Sequence, residues 1–71
     1  MVKPGELYAH YKDPNHTYKI IALAKDVETL EDIVVYEMLY NSHDFLKGQI
    51  WVQPLKMFES LVDGKPRYGK I

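Results

Sequence analysis

The sequence predicts a small, mainly β domain, and two patterns in the chain support this prediction. Near the N-terminus, Leu7 to Tyr11 alternates between two faces, and a period of two residues is typical of a β-strand. Further along, Trp51-Val52-Gln53 joins β-favouring residues to Pro54, which ends a strand ladder and suits the first turn of a helix. The 71 residues include six Tyr, two Phe and one Trp, a mixture that suits a sheet with one partly exposed face.

The N-terminal third of the chain predicts a β-hairpin. Its first strand covers residues 7–11. The face of this strand that we expect to point outward carries Glu6, Tyr8, His10 and Lys12. Residues 13–16, Asp-Pro-Asn-His, have the composition of a turn. The second strand covers residues 17–24, and period-two alternation places these residues on one of its faces: Tyr18, Ile20, Ala22 and Ala24.

The middle of the chain predicts a loop and two further strands. Residues 25–32 are polar and acidic, as in a solvated loop. Residues 33–40 are β-branched and aromatic and are apolar on both faces, so we expect this strand in the interior of the sheet. Residues 49–53 form the fourth predicted strand, with Ile50 and Val52 pointing inward.

The C-terminal part predicts a helical turn and a closing strand. Leu55, Phe58 and Val62 fall at helical spacing, so one or two helical turns follow Pro54. A turn at 63–66 and a short strand at 67–71 complete the chain.

Five short strands in a chain of this size are expected to curl into a barrel, which limits exposed edges. We therefore predict a single SH3-like β-barrel domain over residues 1–71. A barrel of the oligonucleotide-binding type is the second alternative, although it usually needs a longer chain. A barrel this small is expected to be a monomer or a weak dimer that pairs through an edge strand.

Composition excludes several classes of function. Nine basic residues against ten acidic ones give a net charge of −1, so the chain has no broad attraction to nucleic acid or to anionic membranes. The absence of cysteine removes thiol catalysis and Cys-type zinc sites, and it suits a reducing, cytoplasmic compartment. No apolar stretch reaches the length of a membrane span. No catalytic motif, metal-ligand pattern or cofactor motif is recognisable, so we expect a binding module and not an enzyme.

The first candidate site is the predicted outward face of the first strand together with the Trp strand. It combines aromatic rings for stacking, a histidine that titrates near neutrality, and two cations. Its residues are Tyr8, His10, Lys12, Trp51, Gln53 and Arg67. Such a face suits a nucleotide, a short single strand or another small anionic or aromatic ligand. The structural alternative is that Tyr8 and Trp51 fill the core while His10 bonds to the backbone.

The second candidate site is the acidic loop, with carboxylates at Asp26, Glu28, Glu31 and Asp32. Beside an aromatic groove, these carboxylates would select a basic or Pro-containing peptide. Oxygen ligands also suit Mg²⁺ or Ca²⁺, but the spacing matches no defined calcium loop. The alternative is a solvated loop without a partner. A third hypothesis is catalytic and needs His10 and Glu28 within hydrogen-bond reach.

Motifs along almost the whole chain also carry a resemblance. In order, they are Gly5, Tyr8, His10-Tyr11-Lys12, Glu28-Thr29-Leu30-Glu31, Val34-Val35-Tyr36, Leu39-Tyr40, Trp51-Val52, Pro54, Met57-Phe58 and Pro66-Arg67-Tyr68. With these motifs the chain resembles a small bacterial family known as domain-of-unknown-function family 1653. The resemblance implies an SH3-type barrel and a bacterial or phage origin. Some members of that family are joined to nucleotide-processing domains, which hints at nucleotide-related ligands.

The resemblance adds Glu28 and Thr29 to the predicted ligand-binding residues, because they lie on the matched Glu-Thr motif. The chain departs from the family pattern at three places. Gln53 stands where the family usually has Arg, Asp26 stands where it often has His, and Asp13-Pro14-Asn15 replaces a shorter turn. The first two changes remove positive charge or a titratable ring, which weakens a phosphate-binding role inferred from the family.

Overall fold

The computed structural model describes residues 2–71, so Met1 of the predicted domain lies outside the described residues. These residues form seven strands and one helical turn. They are β1 (Leu7–His10), β2 (Asp13–Lys25), β3 (Asp32–Met38), β4 (Ile50–Pro54), α1 (Leu55–Phe58), β5 (Leu61–Val62), β6 (Lys65–Pro66) and β7 (Tyr68–Lys70). The predicted mainly β fold is confirmed.

Five strands form one antiparallel sheet in the order β4-β3-β2-β1-β7, and β5 pairs with β6 in a separate hairpin. Strand β3 pairs on both sides, as its apolar faces predicted. Within residues 2–71 the two edge strands, β4 and β7, do not pair with each other. The sheet is therefore open, and closure into the predicted barrel is not established.

The core lies on one face of the sheet, here called the inner face. Its buried side chains from β1, β2 and β3 are Tyr8, Tyr18, Ile20, Val34, Tyr36 and Met38, and Val2 of the N-terminal segment is buried with them. Phe58 of α1 covers them, with its ring 5.3 Å from that of Tyr8 and 5.5 Å from that of Tyr36. On the other side Phe58 stacks on Tyr68 of β7 at 4.2 Å. The helical turn thus fills the space between the middle of the sheet and β7.

The opposite side is the outer face, defined by Leu7, Lys19, Val35, Glu37, Ile50 and Val52, which lie on neighbouring strands in register. The prediction that Ile50 and Val52 point inward is wrong, because both are exposed on this face. Trp51 lies opposite the buried Tyr36, so it takes the inner position instead. Burying an indole removes more apolar surface from water than burying a valine, which explains the choice of face.

The first strand shows the same reversal. Tyr8, predicted to be outward, is buried at 8% exposure, whereas Leu7 is exposed. A bulge between Ile20 and Ala22 also breaks the predicted single face of β2, because Ala22 lies opposite Val35 on the outer face.

The hairpin between β1 and β2 turns earlier than predicted, at Tyr11 and Lys12. His10 lies opposite Asp13, whereas Ala9 lies opposite Thr17. The Asp-Pro-Asn-His segment therefore forms a bulge within β2. Asp13 Oδ1 stabilises the bulge by accepting the N–H of Asn15 at 2.9 Å.

The C-terminal part also differs in detail from the prediction. The helix has only four residues, and Val62, predicted as its last apolar position, lies in β5 instead. Asp63 and Gly64, both with positive φ (51° and 79°), join β5 to β6 in a two-residue turn of the kind that Asp-Gly favours. Within the described residues, no helix is long and apolar enough to cross a bilayer.

Candidate functional site

Cationic and aromatic side chains meet where the β1–β2 hairpin turns and β7 begins. His10 ends β1 and lies opposite Tyr68, the first residue of β7. The backbone N–H of Tyr11 donates to the carbonyl of Arg67 at 2.9 Å, which holds the hairpin turn against the start of β7. We call this region the basic–aromatic end; its residues are His10, Tyr11, Lys12, His16, Arg67 and Tyr68.

His10 is at the centre of this region. Its Nδ1 accepts the backbone N–H of Lys12 at 3.1 Å, so the neutral ring carries its proton on Nε2. The ring lies 4.9 Å from that of Tyr11 and meets the ring of Tyr68 edge-on at 5.3 Å. Burial lowers the pKa of His10, and the positive charges of His16, Lys12 and Arg67 lower it further.

The cations at this end have few carboxylates near them. Lys12 Nζ lies 5.8 Å from the centroid of the Tyr11 ring, within the range of a cation–π contact. Arg67 Nε donates to Ser60 Oγ at 3.1 Å. Among residues 2–71, neither Lys12 nor Arg67 forms an ion pair. Asp13 is the nearest acid in sequence and it lies 3.4 Å from His16 Nε2.

A tyrosine pair supports the neighbouring histidine. The ring of His16 stacks on that of Tyr40 at 4.4 Å, and the Tyr40 hydroxyl lies 2.8 Å from that of Tyr18. Burial raises the pKa of Tyr18, and the bond to Tyr40 raises it further. Burial likewise raises the pKa of Tyr36. Both phenols are therefore neutral at physiological pH, as expected for rings in the core with hydroxyls at its rim.

Of the aromatic residues of the predicted face, Tyr8 lies in the core and Trp51 packs against it. The Tyr8 hydroxyl donates to Glu6 Oε1 at 3.1 Å, and its ring packs on Phe58. Trp51 is half-buried on β4, three strands away from β1, and its ring meets that of Phe45 edge-on at 4.8 Å. Gln53 lies on the same face of β4 and accepts the Tyr36 hydroxyl at 3.4 Å. Of the predicted face, the structure brings together His10, Lys12 and Arg67.

The acidic loop is organised by its own side chains. Asp26 Oδ1 accepts the backbone N–H groups of Glu28 at 2.8 Å and Thr29 at 3.2 Å, and Thr29 Oγ1 accepts the N–H of Glu31. Leu30 has a positive φ of 62° within this turn. Asp26 and Thr29 therefore shape the loop, and the Glu28 side chain is exposed.

A cleft of about 300 Å³ lies between this loop and α1, lined by Leu30, Glu31, Asp32, Leu55, Lys56 and Glu59. Two ion pairs reduce its negative charge, Lys56 Nζ to Glu31 Oε1 at 3.5 Å and Lys25 Nζ to Asp32 Oδ1 at 2.7 Å. The lining is aliphatic and charged, so the aromatic groove predicted beside the loop is not found there. Within the described part of the chain, no group of three or more metal-ligating side chains exists.

The structure does not join His10 to Glu28. His10 lies where β2 begins and Glu28 lies beyond its last residue, Lys25. No hydrogen bond or ion pair links them among residues 2–71, so the catalytic hypothesis has no geometric support.

Sequence reasoning missed Tyr11, His16 and Tyr68 as companions of His10. Tyr11 lies between His10 and Lys12 in the sequence, but the turn was predicted at residues 13–16 and is found at Tyr11 and Lys12. His16 reaches the site only through the bulge in β2, and Tyr68 only through the pairing of β7 with β1. Long-range pairings of this kind leave no local pattern.

A family model described as "Protein of unknown function (DUF1653)" matches residues 6–69, which run from the start of β1 into β7. The chain belongs to this family. The match confirms the resemblance that the sequence motifs indicated, and its description names no activity. No curated protein and no solved structure shows significant similarity to the chain.

Proposed function

We propose that the protein is a binding module that takes a nucleotide, or another small anionic and aromatic ligand, at the basic–aromatic end. The observation that supports this most directly is the convergence of His10, Lys12 and Arg67 beside Tyr11. Lys12 and Arg67 have no ion-pair partner among residues 2–71, so their charge is free to meet a phosphate.

The aromatic part of this ligand would stack on Tyr11, which is exposed. Stacking of a base on an aromatic side chain contributes about 1–3 kcal/mol. Compared with the face predicted from the sequence, Tyr11 takes the stacking role assigned to Tyr8 and Trp51. The remaining predicted residues, Glu28 and Thr29, lie beyond the other end of β2 and would not touch the same ligand.

We further propose that the sheet corresponds to an SH3-like barrel. Three features favour this fold: β1 lies between β2 and β7, the long β2 carries a bulge at its middle, and α1 precedes the last strand. A bulge bends a strand, so that its two parts can belong to the two halves of a curled sheet. Phe58 and Tyr68 then close the side that strand pairing leaves open.

The ligand proposal is tested by calorimetric titration with ATP, AMP, adenosine and tripolyphosphate. We expect affinity to fall from ATP to AMP to adenosine, because each step removes phosphate charge. Lys12→Ala keeps the backbone N–H that binds His10 but removes the ammonium, and we expect it to weaken ATP binding about fivefold, equivalent to about 1 kcal/mol.

Lys25→Ala is the matched control, since it removes the same charge from the other end of β2. We expect it to leave ATP affinity unchanged. Equal effects of the two substitutions would indicate nonspecific attraction and would refute the proposed site. Absence of binding by all four compounds would refute it as well.

A second candidate function is recognition of a basic or Pro-containing peptide by the 26–32 loop. The cleft beside Glu31 and Asp32 favours it, because it combines carboxylates with the apolar side chains of Leu30 and Leu55. A peptide bound there would lose affinity on Glu31→Gln and would be indifferent to Lys12→Ala. A nucleotide bound at the basic–aromatic end would show the opposite pattern.

A further inference from the structure

The outer face of the sheet carries an exposed apolar surface that the proposed ligand site does not use. Three large apolar side chains contribute to it: Leu7, Ile50 and Val52 are 41%, 47% and 66% exposed. Val35 lies between them, directly opposite Val52 on β4. Val35, Val52 and Ile50 adjoin one another on this face, and adjoining apolar side chains mark an interaction site more often than scattered exposed residues do.

One row across this face contains a pair of opposite charges. Leu7, Lys19, Glu37 and Ile50 lie side by side on β1, β2, β3 and β4. Lys19 and Glu37 are direct neighbours, yet neither forms an ion pair within residues 2–71. The face therefore presents one cation and one anion inside an apolar border.

This arrangement is complementary to itself. When two copies meet face to face about a two-fold axis, both use the same surface. If one residue of the first copy contacts a second residue of the other copy, the reverse contact also forms. The geometry points to a second copy of this chain as the occupant of the outer face, with Lys19 of each copy against Glu37 of the other. A partner of different sequence would have to supply both charges in the same spacing.

The size of the face sets the strength of the association. Strands lie about 4.8 Å apart and rise about 3.4 Å per residue, so the surface from β1 to β4 and from Ile33 to Glu37 measures roughly 200 Å². Each partner in a stable interface contributes about 800 Å². The dimer is therefore weak and forms at high protein concentration, and Val52, on the open edge strand β4, lies at its margin.

Sedimentation of the full chain from about 10 μM to about 1 mM tests this dimer. We expect a concentration-dependent shift from monomer to dimer, and a loss of dimer affinity of about threefold for Val52→Lys at the margin of the interface. Val27→Lys is the matched control, because Val27 is 89% exposed in the acidic loop, away from the outer face. A wild-type chain that remains monomeric throughout, or a Val52→Lys chain that dimerises like the control, overturns the proposal.

A charge exchange tests the two-fold arrangement itself and does not depend on how well Val52→Lys folds. Lys19→Glu alone gives a face with two anions, and Glu37→Lys alone gives a face with two cations, so each variant is expected to be monomeric. Mixed in equal amounts, they should form a heterodimer, because both contacts then join opposite charges. A mixture that stays monomeric, with both chains folded by circular dichroism, contradicts the proposed contact.

Discussion

Glu6 links three parts of the chain through one carboxylate. Oε1 accepts the Lys3 backbone N–H at 2.8 Å and the Tyr8 hydroxyl at 3.1 Å, and Oε2 lies 2.7 Å from Lys70 Nζ. The bond to Lys70 is the largest of the effects that lower the pKa of Glu6 from 4.5 to about 2. The side chain thereby ties the N-terminal segment and β7 to the core tyrosine.

This lowered pKa predicts a pH-dependent contribution to stability. A carboxylate with a lower pKa in the folded state stabilises the fold fully above its unfolded pKa of 4.5, and the contribution is lost as the pH falls through about 2. Glu6→Gln keeps an acceptor but loses the ion pair. We therefore expect the difference in urea midpoint between wild type and Glu6→Gln to be largest above pH 4.5 and to vanish near pH 2. A difference that is constant over this range would contradict the role given to Glu6.

The second prediction at the scale of a residue concerns Trp51. It packs against the core from β4 and contacts Phe45, so its role in the structure is stability. Trp51→Ala should lower the free energy of unfolding by about 2 kcal/mol, below the 3–5 kcal/mol typical of fully buried aromatic truncations. In the fraction that remains folded, ATP affinity should equal that of wild type. If the Trp51→Ala chain keeps full stability but fails to bind ATP, Trp51 belongs to the ligand site and the structural role is wrong.

The sequence could not assign the faces of β4 and β1 at this scale. Alternation shows which residues share a face, and it correctly grouped Trp51 with Gln53 and Tyr8 with His10. It does not show which face is buried when both carry apolar side chains, as Ile50 and Trp51 do. That choice depends on which element covers the sheet, here α1 with Phe58, and alternation within a strand does not show where α1 packs.

At the scale of the element, two matched predictions concern glycines, one in the β5–β6 turn and one in β7. Gly64 has a φ of 79°, where an added Cβ meets no atom within 4 Å but the backbone conformation disfavours a side chain. Gly64→Ala should therefore cost about 1 kcal/mol, measured as a shift in the urea midpoint. Gly69 in β7 has equal space around it and no positive φ, so Gly69→Ala should be close to neutral. Equal costs at both positions would indicate that the turn is not under this constraint.

The short strands β5 and β6 were missed, because Val62 was assigned to the helical turn and residues 63–66 to a turn. The five strands of the main sheet were predictable in approximate position. The two irregularities in β2 were not. The insertion after Asp13 lies in the pairing of β2 with β1, and the bulge between Ile20 and Ala22 lies in its pairing with β3. A single strand carries no local sign of such pairing constraints, so the predicted face of Tyr18 and Ile20 could not be followed beyond residue 20.

At the scale of the whole molecule, the two proposed surfaces are separate. The basic–aromatic end lies at the hairpin turn, and the apolar outer face covers the middle of β1 to β4 on the side away from the core. Val52→Lys should leave ATP affinity unchanged, and Lys12→Ala should leave the monomer–dimer equilibrium unchanged.

The family and the mainly β fold could be predicted, because motifs and periodicity are visible directly in the amino-acid sequence. The open edges of the sheet and the pairing of His10 with Tyr68 could not, because they depend on contacts between residues distant in sequence. The position of His16 depends on the bulge that follows Asp13.

The most direct measurement of the central claim is an NMR titration of the ¹⁵N-labelled chain with ATP. We predict that amide shifts concentrate at His10, Tyr11, Lys12 and Arg67 and leave the Trp51 indole unchanged. The ATP titration should be run at a protein concentration below that of self-association. Shifts confined to the 26–32 loop, or spectra unchanged at saturating ATP, would contradict the account.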